Sequence, residues 1–337
     1  MEVREQPFEF SALPGRFATP LVGASAALLV GLAGLFGSAG LRWHPFAIMA
    51  GGALFLAVAG VWLARHGVLS APLLRERGVN LEGTRAGAPV PPTVWLCAHL
   101  DTKSQPVPSF ARVAGVVLMA FGYTGMFVVS AVAAFGGDPA AAYWVLAAAV
   151  TLAGAVPVVL SMVGDNSPGA LDNASGVVTA IAALRELTGR DDANIGMLIT
   201  DAEELGMAGA RAWARGRSRR GGRDTILNCE GADDEGRIAV MYTGRKPGKL
   251  LQAVARASRQ TGVVHKASRM IPGILADSVA FTDAGLTSVT FLRGSVRSLM
   301  RVHRASDDLA HLRGTGIADT AALVAATARQ LTHGEIA

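Results

Sequence analysis

Four stretches of the chain carry no Asp, Glu, Lys or Arg: Phe17–Leu41, Trp43–Ala64, Val113–Gly137 and Pro139–Gly164, of 25, 22, 25 and 26 residues. A helix of about 20 apolar residues crosses the hydrocarbon core of a bilayer. Each stretch is long enough, and the pattern predicts four transmembrane helices. Trp43, Trp62, Tyr143 and Trp144 fall toward span ends, where amphipathic rings sit at headgroup level. Gly23, Ala27 and Gly31 in the first span, with Ala133 and Ala134 in the third, predict close helix approach. The turns at 41–45 and 136–139 are short, so the spans pair into two hairpins. The N-terminal tail, the segment between the hairpins and everything after Asp165 then share one side.

The rest of the chain reads differently. Val94–Ala98, Ile195–Thr200, Thr225–Cys229, Ile238–Tyr242 and Ser288–Leu292 are short apolar runs, expected as buried strands. Gly176–Leu187, Leu205–Gly216, Lys249–Thr261 and Ile317–Thr332 have helical periodicity. Alternating strands and helices predict an α/β fold, a mostly parallel or mixed sheet sandwiched by helices. The expected organisation is a polar tail (1–16), a first hairpin (17–65), the first part of the polar domain (66–112), a second hairpin inserted into that domain (113–164), and its remainder (165–337).

Composition agrees with this division. The chain is 51% hydrophobic and 17% charged, but outside the four stretches it approaches the roughly 25% charge of a soluble domain. Arg65, Arg75, Arg77, Arg85, Lys103 and Arg112 lie between the hairpins, against Arg42 alone in the hairpin turns. The positive-inside rule therefore predicts a multi-pass integral membrane protein with its polar domain on the cytoplasmic face. The polar first 16 residues, with Glu2, Glu5 and Glu9, do not fit a cleavable signal peptide. Net charge is +5, and residues 211–223 hold six arginines. These are expected as a solvated helix end, with anionic lipid headgroups as the alternative contact. Nothing accompanies them that would make a nucleic-acid module. Cys97 and Cys229 are too few for a disulfide framework and are expected to be buried thiols.

In parallel sheets ligands bind at the carboxyl ends of strands. The expected strands are followed there by His99-Leu100-Asp101, Asp201-Ala202-Glu203-Glu204, Glu230, and, after the last, His303 and Asp307-Asp308. Asp172-Asn173 precedes a helix. Alone, a His-x-Asp pair reads as a turn, and adjacent acids as a helix start. Together, two histidines and three carboxylates suit two divalent ions sharing one bridging carboxylate, with a further carboxylate free to take a proton.

The motifs AHLD (98–101), SPGALDNASG (167–176), DAEELGMAGA (201–210), NCEG (228–231), ADSVAF (276–281) and HRASDD (303–308) resemble, in order, those of the M28 family of dinuclear zinc aminopeptidases, in particular its membrane-embedded branch. The resemblance implies a zinc exopeptidase-like fold and two zinc ions, one replaceable by cobalt or manganese. It implies a peptide or aminoacyl-amide substrate. It also implies His99, Asp172, Glu204, Glu230 and His303 as metal ligands, Asp172 bridging and followed by a cis peptide. Asp101 matches the acid that hydrogen-bonds His99, and Glu203 the general base. Glu230 stands where the family commonly has aspartate, one methylene shorter. Asp277 resembles an acid near the substrate end. Two departures stand out: the second hairpin separates His99 from Asp172, placing the site close to the membrane surface, and Val302 stands where some relatives place an oxyanion-binding tyrosine. Other readings of the same fold are a non-catalytic membrane receptor or assembly subunit, with no metal, and a glutaminyl cyclase-like enzyme, with one zinc.

Overall fold

The computed structural model describes residues 1–88, 90–188, 194–219, 221, 224–271 and 274–333. In chain order the elements are β1 (Glu2–Ser11), α1 (Leu13–Ser38), α2 (Trp43–Trp62), α3 (Val68–Ser70), β2 (Arg75–Thr84), β3 (Val94–His99), α4 (Ser109–Ala134), α5 (Ala141–Val159), α6 (Gly176–Thr188), β4 (Ile195–Thr200), α7 (Ala208–Arg219), β5 (Thr225–Ala232), β6 (Arg237–Tyr242), α8 (Gly248–Thr261), β7 (His265–Arg269), α9 (Asp277–Asp283), β8 (Thr287–Gly294), α10 (Val296–Arg301) and α11 (Thr315–His333). They form two compact units: 1–10 with 75–104 and 165–337, and 11–74 with 105–164.

The first unit is an eight-stranded mixed sheet of order β1-β2-β4-β3-β5-β8-β6-β7. Its centre is parallel: β3 runs with β4 and β5, and β5 with β8. β2 against β4 and β6 against β8 are antiparallel. Every residue of β3 is buried, and its side chains alternate between two cores. Val94, Leu96 and Ala98 pack with α6, α8 and α11, whereas Trp95 and Cys97 pack with Met207, Trp213 of α7 and Phe281 of α9. Helices therefore cover both faces.

Residues 2–11, read as a tail, form the edge strand β1. Gln6, Phe8 and Phe10 carry the period-two alternation behind it, with Pro7 and Glu9 on the exposed side. The arginine-rich segment also differs from a solvated face. Arg217 stacks on Trp95 and Trp213, 4.5 and 4.9 Å from the ring centroids, and Arg211 pairs with Asp283. The side chains of Arg219, Arg220 and Arg223 lie outside the described residues.

The second unit consists of the four long helices, each long and apolar enough to cross a membrane. α1 and α4 each begin four residues before their charge-free stretch, because hydropathy marks where charge ends and not where the helix starts. α2 passes through a π-helical turn, Leu63–Gly67, into α3. Glycines let the helices touch: a Cβ on Gly154 would lie 2.3 Å from the Met119 amide nitrogen, and one on Gly23 would meet Val158, whereas Gly31 faces open space. Trp43, Trp62 and Tyr143 are exposed, but Trp144 is buried over Gly37, a packing residue in place of the expected interfacial one.

Candidate metal centre

Three strand ends and two loops bring the expected ligands together. His99 closes β3. Glu203 and Glu204 follow β4 in a loop where Ala202 and Met207 adopt positive φ. Glu230 lies in β5 at an irregularity of its pairing with β8. Asp172 lies in the kinked turn Ala170–Ser175 before α6, and its bond to Asn173 is cis. His303 follows α10 with φ 65°, a left-handed conformation that costs a non-glycine residue about 1–3 kcal/mol and is typical of functional loops.

Asp172 stands in the middle. Its Oδ1 lies 3.2 Å from His99 Nε2 and its Oδ2 3.2 Å from His303 Nε2. Glu230 Oε2 is also 3.2 Å from His99 Nε2, and Glu204 Oε1 is 2.9 Å from His303 Nε2. Two trios result, His99–Asp172–Glu230 and Asp172–Glu204–His303, each with donor atoms within 4.8 Å of one another. Asp172 belongs to both. Glu204 Oε1 and His303 Nε2 are buried yet complete no hydrogen bond among the described residues. Imidazole nitrogens and carboxylate oxygens gathered in this way are the donor set for zinc, so the residues present fit two ions.

Surrounding groups fix the donors. The His99 Nδ1–H donates to the Asp101 backbone carbonyl at 3.0 Å, which turns Nε2 toward Asp172 and Glu230. The Asp101 carboxylate, expected as that partner, is 3.6 Å away. It accepts instead from the Glu203 and Glu204 amides, at 2.9 and 3.0 Å, because the loop after β4 would otherwise leave them unpaired. The Asp307 carboxylate likewise accepts from the Leu171 and Asp172 amides, at 2.8 and 3.1 Å. Asn228 donates to Glu230 Oε1 at 2.9 Å, and Lys103 Nζ lies 2.6 Å from Glu204 Oε2. Sequence reasoning gave Lys103, Asn228 and Asp307 no individual part. Lys103 was traceable as the cation four residues after His99 on the same strand-end loop.

The electrostatics follow from crowding. Burial raises the Glu203 carboxyl well above the ordinary range; His99 opposes this, and Glu204, Glu230 and Asp277 add to it. Burial also raises Glu230, with His99 opposing. Asp172 goes the other way, because His303 and His99 outweigh its burial. Both histidines are raised despite burial, His99 chiefly by Glu230 and His303 by Asp172 and Glu204. Lys103 is held charged by Glu204, Glu203 and Asp172. Glu203 belongs to neither trio.

Other candidates lie elsewhere. Asp201 accepts from the Val79 amide, toward β2. Asp277, expected near the substrate end, is fully buried. It accepts from Thr200, and burial pushes its pKa up to about 7. Asp308 caps a single 3-10 turn. His44, His66 and His311 are exposed and His265 half-buried; the His333 side chain lies outside the described residues. Both cysteines are free and buried.

A family model described as peptidase family M28 matches residues 80–328. Among solved structures, the chain is similar to an aminopeptidase from Aneurinibacillus sp. strain AM-1 (15% identity, TM-score 0.50, covering 81% of this chain and 54% of that one). It is also similar to the LapA aminopeptidase from Legionella pneumophila (14% identity, TM-score 0.50, covering 75% and 56%). A zinc aminopeptidase from Bacillus subtilis matches at 18% identity and TM-score 0.49, covering 75% and 49%. The chain thus spans about half the length of these structures. No curated protein matches it.

Proposed function

Because the chain belongs to peptidase family M28, we propose that it is a membrane-anchored, zinc-dependent exopeptidase, hydrolysing peptide or aminoacyl-amide bonds at a two-ion centre. The observation that carries this reading is Asp172, which presents one oxygen to each histidine. His99, Asp172 and Glu230 would hold the first ion, and Asp172, Glu204 and His303 the second. Bound there, the ions would supply Lewis acidity, polarising the scissile carbonyl and making a water acidic enough to lose a proton.

The chain's own residues do the rest. Glu203 follows the strand end beside the ligand Glu204 but is in neither trio, so its carboxylate is the one left to accept the proton of the attacking water. It then returns that proton to the leaving amine, so the carboxylate is restored with each turnover. Asp101 acts as a positioning residue: holding the 203 and 204 amides together, it sets the base and a ligand by one clamp. Asp307 does the same for Asp172. The retained ligands and base distinguish this reading from a non-catalytic receptor on the same fold.

The test uses the full chain in detergent. It is expected to contain two zinc ions and to hydrolyse aminoacyl-amides. Chelation abolishes that activity, and zinc, cobalt or manganese restores it. Hydrolysis that survives complete chelation would overturn the proposal, and one ion per chain would favour the cyclase-like alternative.

The four long helices, with Phe55, Phe121 and Val145 largely exposed, are read as the lipid-facing anchor. The basic residues between the hairpins favour a cytoplasmic polar unit. Because Cys97 and Cys229 are buried, a cysteine introduced at the exposed Lys249 is the suitable probe. A membrane-impermeant maleimide is expected to label it only after lysis; labelling of intact cells would reverse the orientation.

A further inference from the structure

Each glutamate ligand turns one oxygen to a histidine and has the other held by the protein. Glu230 turns Oε2 to His99, while Oε1 accepts from the Asn228 amide at 2.9 Å. Glu204 turns Oε1 to His303, while Oε2 lies 2.6 Å from Lys103 Nζ. The geometry of the two is alike, but the charge is not. Asn228 is a neutral donor, whereas Lys103 brings a full positive charge. The Lys103 side chain is 18% exposed and that of Glu204 5%, so water screens this pair poorly.

We propose that Lys103 is a positioning residue that sets the two metal positions apart. Lys103 withdraws one oxygen of Glu204, leaving a one-oxygen ligand, and its charge offsets that of the carboxylate. By Coulomb's law, a divalent cation is held more tightly where its ligands carry more net negative charge. The first position has the charges of Asp172 and Glu230 unopposed by a lysine; the second has Asp172 and a Glu204 paired to Lys103. The second ion is therefore the weaker and more exchangeable one. The inference rests on the two-ion reading above.

The experiment titrates the full, metal-stripped chain in detergent with Zn2+ against a chromophoric chelator, comparing wild type with Lys103→Met and Lys103→Arg. Wild type is expected to bind in two steps, the second weaker by about tenfold or more, which is about 1.4 kcal/mol. Lys103→Met is expected to tighten the second step by about tenfold and leave the first within about twofold. Lys103→Arg is expected to keep the second step weak. Two equal steps in wild type, no response to Lys103→Met, or an equal change in both steps would overturn the role of Lys103 and leave the two-ion reading intact. A wild-type chain that binds no zinc would overturn both.

Discussion

Glu203→Gln is expected to lower kcat for aminoacyl-amide hydrolysis by about 10²–10⁴-fold, the usual contribution of a positioned general base, while the zinc content stays at the wild-type value. Glutamine keeps the shape of glutamate and removes the basic oxygen. Because the Glu203 side chain is in neither ligand trio, its replacement takes no donor from an ion. The Glu203 amide also still donates to Asp101 at 2.9 Å, so Glu204 stays in place. Paired measurement of kcat and of zinc by mass spectrometry separates the two effects. A variant with full activity would show that another group moves the proton. A variant that loses zinc in step with activity would make Glu203 a ligand.

Asp172→Asn is expected to have the larger effect on the metal. Aspartate offers equivalent oxygens to His99 and His303, whereas asparagine offers one oxygen and an amide that cannot ligate. Zinc content is expected to fall to one ion or fewer per chain, with activity lost beyond detection. Loss of an outer-shell partner alone costs about 10–100-fold in affinity, and a shared ligand is expected to exceed that at both positions. Glu204→Gln and Glu230→Gln supply the contrast, since each belongs to one trio and is expected to weaken one ion. If Asp172→Asn bound two ions as tightly as wild type, the bridging role would be wrong.

The parts of the fold with strong apolar contrast were legible in the sequence. β4 spans the run Ile195–Thr200 as read, and β3, β5, β6 and β8 contain the expected runs with one to three extra residues at their ends. Buried parallel strands are continuous apolar segments, and this makes them visible. β7, HKASR, is a largely exposed edge strand with no apolar pattern, and β2 is interrupted by Gly78 and Asn80. Their pairing comes from neighbours distant in sequence, which no local window contains. The site divides in the same way. Histidines and acids stood out at strand ends because few other positions need them there. Lys103 did not, since a lysine in a loop is ordinarily solvated; its spacing from His99 was its one local sign, and the approach of Glu204 gives it a role.

The interruption of the polar unit by α4 and α5 has a consequence in time. Val94 of β3 pairs with Ile195 of β4 and Thr225 of β5, both made after the second hairpin. At about 5–20 residues per second, the central strand waits roughly 5–20 s for its first neighbour. Throughout that interval VWLCAH has two open edges, and until α6 is made it has no covering helix either, a state prone to misassociation. Synthesis of the sheet is therefore tied to delivery of the hairpin: the centre of the unit begins to assemble only once α4 and α5 have been made.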